Sequence, residues 1–265
     1  MKIISWNVNG IRAVDRKGVL RELIDERKPD ILLLQEVKAT PEQFAKEMAK
    51  YSEYHAIWSS AKKAGYAGVS AWIRSDFLAS EKISAEKNFP GNPFSDEGRV
   101  MRLDFEKNGK NFSVLGVYFP NGGKSEEAWQ GKLLFYDAFL EYVNELKNRG
   151  KEVIWGGDVN CAHREIDLAR PKENDGLIGF HPLERVWMDR VIEAGWIDIF
   201  REKNPQKTDV YSWWHVITRA RDRNIGWRID YLFLSKTSVK SAKNVQYLTS
   251  QTGSDHCPVM LEMTV

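Results

Sequence analysis

An Asn108-Gly109 pair between two apolar-rich segments, 100–106 and 111–118, limits the possible folds more than any other local feature. Asn and Gly both tolerate the positive φ angles of a tight type I′ turn, so the flanking segments are expected to pair antiparallel. Elsewhere strand-like and helical runs alternate. Segment 2–8 reads as a strand, and the stretch after it sets Val19, Leu20, Leu23 and Ile24 on one helical face until Pro29 stops it. Ile31 to Leu34 is apolar without a break, as in a strand covered on both faces. Further strands are expected at 54–58, 69–73, 153–157, 229–234 and 257–265. Thr40-Pro41-Glu42-Gln43 has the cap, proline and glutamine of a helix start. A long helix over 126–148 carries Leu134, Phe135, Ala138, Phe139, Tyr142, Val143 and Leu146 as a stripe, and one over 183–194 ends at Gly195. A forced hairpin within such alternation favours two mixed sheets with helices outside over a purely parallel sheet.

No linker rich in Pro, Gly or Ser interrupts the pattern, so residues 1–265 read as one domain. With 42% hydrophobic and 12% aromatic residues the chain can fill a sizeable core. No apolar run approaches the roughly 20 residues of a membrane span. Two cysteines, Cys161 and Cys257, argue against a disulfide framework, and Cys161 is expected to be a small buried hydrophobe rather than a nucleophile. These features suggest a soluble, intracellular monomer without a membrane partner. Thirty-nine basic against 37 acidic residues leave a net charge of +2, so global charge announces no polyanionic partner. The run Thr218 to Asn224, with Arg219, Arg221 and Arg223, is a local basic exception. Ile4-Ser5-Trp6-Asn7-Val8-Asn9 also faintly echoes Trp155-Gly156-Gly157-Asp158-Val159-Asn160, each at the end of a strand.

Chemistry-bearing side chains recur beside these strands in six places. They are Asn7-Val8-Asn9-Gly10, Gln35-Glu36, Tyr118-Phe119-Pro120-Asn121, Gly157-Asp158-Val159-Asn160, Gly253-Ser254-Asp255-His256 and Trp227-Arg228-Ile229-Asp230-Tyr231. Each alone has an ordinary explanation as a turn, a cap or a rim residue; all six together are harder to explain so. Glu36 offers a hard oxygen to Mg²⁺. Asp230 could orient His256 and favour its charged form. Asp158 could deprotonate a water that Asn160 holds, while Asn7, Asn121 and Tyr118 could donate to developing negative charge. That set describes metal-assisted phosphodiester hydrolysis without a covalent nucleophile. Other signatures fail. Gly123-Lys124-Ser125 ends like a P-loop, but Tyr118 stands where its first Gly is required. The five histidines and two cysteines lack zinc-ligand spacing, and no G-x-S-x-G elbow is present.

The chain resembles the exonuclease III family of apurinic/apyrimidinic (AP) endonucleases, within the endonuclease/exonuclease/phosphatase superfamily. Eight segments carry the resemblance in order, from Ser5-Trp6-Asn7-Val8-Asn9-Gly10 and Leu34-Gln35-Glu36-Val37-Lys38 through Glu97-Gly98-Arg99-Val100 and Tyr118-Phe119-Pro120-Asn121-Gly122. Gly157-Asp158-Val159-Asn160, Glu165-Ile166-Asp167-Leu168, Gly226-Trp227-Arg228-Ile229-Asp230-Tyr231 and Gly253-Ser254-Asp255-His256-Cys257-Pro258 complete them. The resemblance implies a four-layer α/β sandwich, two mixed sheets face to face with helices outside. It implies a metal role for Glu36, with Asn9 and Asp255 beside it, and Mg²⁺ as the cofactor with Mn²⁺ as the alternative. It implies that Asp158 and Asn160 orient the nucleophile, Asn7 positions Asp158 or substrate, and Tyr118 contacts the phosphate or leaving group. It also implies that His256, paired with Asp230, stabilises the pentacovalent transition state. Asn9 departs from members that have Asp there, and Lys124 stands where some have a duplex-entering Arg.

Trp213 and Trp227, with Ile229, match family positions that line a pocket for a base-less sugar, too small for a normal nucleotide. DNA affinity is expected from Arg12, Arg99, Lys124, Arg219 and Arg221. The expected activity is incision 5′ to abasic sites in double-stranded DNA, leaving a 3′-hydroxyl and a 5′-deoxyribose phosphate, with 3′→5′ exonuclease and 3′-phosphatase activity on blocked 3′ ends. The alternatives are a phosphodiesterase for small esters or lipid head groups, and a damage-binding module without chemistry.

Overall fold

The computed structural model describes residues 1–78 and 82–265. Its first eight strands are β1 (Lys2–Asn7), β2 (Ile31–Gln35), β3 (Tyr54–Ser59), β4 (Val69–Arg74), β5 (Ser84–Glu86), β6 (Val100–Lys107), β7 (Lys110–Tyr118) and β8 (Glu152–Asp158). There follow β9 (Trp196–Asp198), β10 (Trp213–Trp214), β11 (Gly226–Trp227), β12 (Asp230–Ser235), β13 (Ala242–Tyr247) and β14 (Val259–Met263). The hairpin forms as expected: β6 and β7 pair antiparallel through Asn108 and Gly109, whose φ angles are 51° and 73°.

Two six-stranded sheets result, in the orders β13-β14-β1-β2-β4-β3 and β5-β6-β7-β8-β12-β9, with β10 and β11 as a separate ribbon. Each sheet is antiparallel except for one central parallel pair, β1 with β2 and β7 with β8. The two sheets show the same succession of pairing senses from edge to edge. The faint echo between residues 4–9 and 155–160 falls on one strand of the central parallel pair in each sheet, β1 and β8.

Side-chain alternation separates the layers. Ile3, Leu33 and Ala71 meet Met101, Val114, Ile154 and Leu232 between the sheets. Ile4, Trp6, Leu32 and Leu34 point the other way, onto the helix Val19–Arg27 and onto Phe44. On the far side, Leu115, Val117, Val153 and Trp155 pack under the helices Glu126–Asn148 and Pro182–Glu193 through Phe135, Phe139, Trp187 and Met188. Helix, sheet, sheet, helix is the four-layer order. Ile31 to Leu34 are all fully buried, as their unbroken apolar character required. Among the described residues no helix is long and apolar enough to cross a membrane.

Three local expectations need correction. The Thr40–Gln43 start forms its reciprocal hydrogen bonds, but only short 3₁₀ and α turns follow, over Glu42–Phe44 and Ala45–Met48. Leu134 is 62% exposed and lies outside the buried stripe of its helix. The last strand begins at Val259 rather than Cys257, because Pro258 has no N–H for the ladder. Short strands such as β5 and β9, three residues each, gave too little pattern to read.

Gly156, in the middle of β8, is a close-approach glycine: a Cβ there would overlap the carbonyl oxygen of Tyr231 on β12 and sit 2.8 Å from Leu232 Cδ2. Gly156→Ala should therefore cost roughly 1–3 kcal/mol by overpacking, measured as a lowered denaturation midpoint. An unchanged midpoint would show that β8 and β12 can separate freely.

Candidate active site

The two parallel pairs end at the same edge of the sandwich, and the side chains just past their last residues meet there. Asn7 closes β1 and lies in register with Gln35 of β2, so Glu36 follows immediately beside it. Across the other sheet Tyr118, Asp158 and Asp230 stand in one row, Asp158 opposite Tyr118 on one side and Asp230 on the other. The backbone then turns sharply: Asn9, Glu36, Lys38 and Asn160 all have φ between 45° and 56°. For Glu36 and Lys38 that conformation is strained, and it keeps both side chains beside the strand ends.

Asn7 joins the sheets. Its fully buried amide donates to Glu36 Oε1 and to Asp158 Oδ2, each at 2.9 Å, and its Oδ1 accepts from the Asn9 N–H at 3.0 Å. Asp158 accepts further from the Asn160 N–H at 2.8 Å and from Asn160 Nδ2 at 3.3 Å. Asn121 Nδ2 in turn donates to Asn160 Oδ1 at 3.2 Å. His256 Nδ1 lies 2.8 Å from Asp230 Oδ2, and its Nε2 lies 3.8 Å from Asp158 Oδ2. Ser212 Oγ, which sequence reasoning overlooked, accepts from the Ile229 and Asp230 N–H groups at 3.0 Å each and so fixes the start of β12.

The electrostatics follow from burial and these neighbours. Burial would discharge the His256 imidazolium, but the carboxylates of Asp230 and Asp158 outweigh it and push its pKa up to about 10. Asp158, 1% exposed, is pushed up to about 7 by burial, with Asp230 and Glu36 adding repulsion that His256 partly offsets. Burial would also raise Glu36, but the Asn7 hydrogen bond and the Lys38 charge hold it below the ordinary value. Tyr118 is held well above its ordinary value by burial and by Glu36 and Asp158, so its hydroxyl remains a donor.

These groups share one cavity of about 290 Å³. Glu36, Tyr118, Asn121, Asp158, Asn160 and His256 form one side. Trp213, Trp227, Ile229 and Ile178 form the apolar side, with Asp255 at the junction. Trp213 and Trp227 face each other on the β10–β11 ribbon, rings 6.3 Å apart and near perpendicular, and Trp213 Nε1 donates to Asp255 Oδ2 at 3.1 Å. They are thus half-buried wall residues rather than core. Cys161 and Cys257 are fully buried.

The profile of the endonuclease/exonuclease/phosphatase family matches residues 4–256, spanning every one of these groups. The chain belongs to that family. An exodeoxyribonuclease of Bacillus subtilis is 39% identical over 265 residues, the whole of both chains. Among solved structures, an AP endonuclease from Leishmania major superposes with a TM-score of 0.87 at 25% identity, over 100% of this chain and 87% of that one. A 3′ phosphatase from Neisseria, bound to a product DNA hairpin, does so at 0.86 and 25% identity, over all of both chains.

The family is divalent-metal dependent, and the donors here suit a hard cation. Carboxylate atoms of Glu36 and Asp158 lie with a His256 nitrogen within 4.8 Å of one another. A protonated His256 cannot ligate, which leaves oxygen donors. Asn9 Nδ2 donates to Asp255 Oδ1 at 2.9 Å, bringing those two together beside Glu36. Lys38, named in the sequence only within its motif, sets its ammonium 2.9 Å from Glu36 Oε2 and also on Asn9 Oδ1.

The basic residues divide. Arg12, Lys124 and Arg219 are exposed, and Lys124 lies 4.7 Å from the Tyr66 ring, an aromatic the sequence did not single out. Arg99 and Arg221 are engaged within the protein. Arg99 is 3% exposed, paired with Glu97 and stacked 4.7 Å from the Tyr118 ring. Arg221 donates to the carbonyls of Thr249, Gln251 and Ser254 and packs on Trp214, bracing the loop that carries Asp255 and His256. The Arg99 guanidinium is spent on the protein, whereas Arg221 remains half-buried.

The His256 assignment is open to direct titration. In metal-free protein its ring protons, followed by NMR, should show an imidazolium that persists through pH 8 and titrates at about 10. Asp230→Asn removes the largest influence favouring the charged form, so the midpoint should fall. A wild-type midpoint near the ordinary 6.5 would refute the paired imidazolium.

Proposed function

We propose that this chain, acting as one catalytic unit and as a monomer, is a Mg²⁺-dependent DNA-repair phosphodiesterase that incises the backbone 5′ to abasic sites. Mn²⁺ is expected to substitute. The products are a 3′-hydroxyl and a 5′-deoxyribose phosphate, and 3′→5′ exonuclease and 3′-phosphatase action on blocked ends use the same chemistry. The observation that carries this reading is the junction of a carboxylate–imidazolium cluster with an apolar tryptophan wall in one cavity. A flipped sugar without its base fits beside Trp213, Trp227 and Ile229, while its 5′ phosphate lies toward Asp158 and His256. A phosphodiesterase for head groups would have no use for that wall.

In the proposed reaction Asp158 takes a proton from a water that Asn160 helps hold, and the water oxygen bonds to phosphorus as the bond to the 3′ oxygen breaks, that oxygen taking up a proton from solvent to become the 3′-hydroxyl. A base whose pKa lies at about 7 is well matched to that task. The His256 imidazolium donates to a phosphoryl oxygen, and Asp230 keeps it charged and aimed. Tyr118 and Asn121 donate to the phosphate or the leaving oxygen, and Asn7 keeps Asp158 against Glu36. Glu36, with Asn9 and Asp255 nearby, would hold the metal, which supplies Lewis-acid stabilisation of negative charge. Arg12, Lys124 and Arg219 supply the phosphate contacts that fix the duplex on the surface.

A duplex with one synthetic abasic site tests the reading. The protein should cut it 5′ to the lesion, and EDTA should abolish cutting. Asp158→Asn should lower turnover by about 10² or more while binding survives. Binding without cutting by the wild type would leave a damage-binding module; neither binding nor cutting would favour a small-ester substrate.

Lesion choice should depend on the wall. Trp227→Ala opens the apolar side, so preference for abasic over intact duplex should shrink while the salt dependence of binding stays nearly unchanged. If discrimination is intact in a folded variant, the sugar is read elsewhere.

A further inference from the structure

Behind the cavity wall lies an ion pair with no exposure at all: Lys132, from the helix Glu126–Asn148, and Glu184, from the helix Pro182–Glu193, are both 0% exposed. A buried lysine is costly unless it is paired and hydrogen-bonded, and here it is both. Nζ pairs with Glu184 Oε1 and donates to two main-chain carbonyls, Asn121 at 3.1 Å and Asn160 at 2.9 Å. Those are the two asparagines whose side chains run in series to Asp158. The other carboxylate oxygen, Oε2, accepts from the N–H groups of Gly179 at 2.7 Å and His181 at 3.0 Å. Gly179 carries φ +94°, and a Cβ on it would come within 3.1 Å of the Trp227 ring, so this backbone is pressed against the apolar wall.

One ammonium and one carboxylate thus hold three separate loops at the cavity: the one with Asn121, the one with Asn160, and the one with Ile178 and Gly179. A bond to a neutral side chain could restrain one of them. The charged pair restrains all three relative to one another, because each ion also bonds backbone groups on its own side. We infer that Lys132 and Glu184 are positioning residues that set the distance between the water-orienting asparagines and the wall reading the sugar. They touch no substrate. They act by keeping Asn160 on Asp158 and Gly179 on Trp227 at once, so they should govern the rate of the bound complex more than its affinity. This rests on the cavity being the site of abasic-DNA cleavage.

The test is single-turnover cleavage and equilibrium binding of the abasic duplex by Lys132→Met/Glu184→Gln, which removes both charges without leaving either stranded. With the fold retained by circular dichroism, the cleavage rate should fall about 10- to 100-fold, the range expected when reacting groups are misplaced by a fraction of an ångström to one ångström. Kd should stay within about twofold, since the phosphate contacts that dominate affinity are elsewhere. Lys132→Arg, which keeps the cation and its donors, should recover most of the rate. A folded double variant with wild-type rate overturns the inference, as does a loss confined to thermal stability. If the double variant does not fold, Glu184→Gln decides. Its amide oxygen can still accept from Gly179 and His181 while the charge locking Lys132 is gone, so an unchanged rate overturns the inference and a lowered rate at unchanged Kd supports it. Wild-type protein on the same duplex separates this from the parent reading: if it does not cut, that reading fails, and if it cuts as well as the double variant does, only the positioning role fails.

Discussion

The imidazolium of His256 is what allows two carboxylates to sit inside the edge of the sandwich. Asp158 and Asp230 are adjacent across β8 and β12 and each is 1% exposed. Two such charges side by side would discharge one another by taking up protons. His256 lies against both, hydrogen-bonded to one and within 3.8 Å of the other, and its charge makes the row tenable. Asn7 does the complementary work as a neutral donor, holding Asp158 and Glu36 on a single amide nitrogen. The cluster is consequently short of positive charge on the Glu36 side, where Lys38 now stands and where a divalent cation would be most strongly attracted.

That arrangement depends on how the two sheets are related. Because each has one parallel pair at its centre, and the pairs end at the same edge, four strand ends deliver side chains to one place without any long loop. Strand ends are held by the ladder up to their last residue, which suits groups that must keep their distances through a reaction. The apolar wall is built differently. Trp213 and Trp227 hang on a ribbon of two-residue strands, secured by Ser212 and by the backbone of the Asp255–His256 loop. In the proposed reading, chemistry sits on the rigid sheets and substrate choice on the smaller, separately braced element. Lys132 and Glu184 tie loops of both kinds together from behind.

Much of this was open to reading from residues alone. Period-two alternation and the Asn108-Gly109 turn fixed the element types, since both report local backbone geometry. Asp230 announced itself as a carboxylate in an otherwise apolar strand, and Glu36, Asp158 and His256 by their place beside the ends of such strands. What the letters could not convey was direction. Arg99 and Arg221 read as surface cations, yet their guanidinium groups turn inward onto Tyr118 and onto backbone carbonyls. Lys132 lay unnoticed inside an amphipathic helix, where a lysine ordinarily faces solvent.

By itself, then, the sequence determined which residues could be strands, which side chains were competent for phosphoryl chemistry, and that a core of two mixed sheets was available to hold them. Tertiary structure alone decided which of those groups meet. Residues 7, 36, 158, 230 and 256 are separated by up to 249 positions, and a pattern with a period of two or 3.6 residues carries no information over such distances. The meeting is a consequence of sheet order and of packing between the sheets, and so are the raised pKa of His256 and the burial of the Lys132–Glu184 pair. Both are properties of a neighbourhood, and a neighbourhood exists only once the chain has folded.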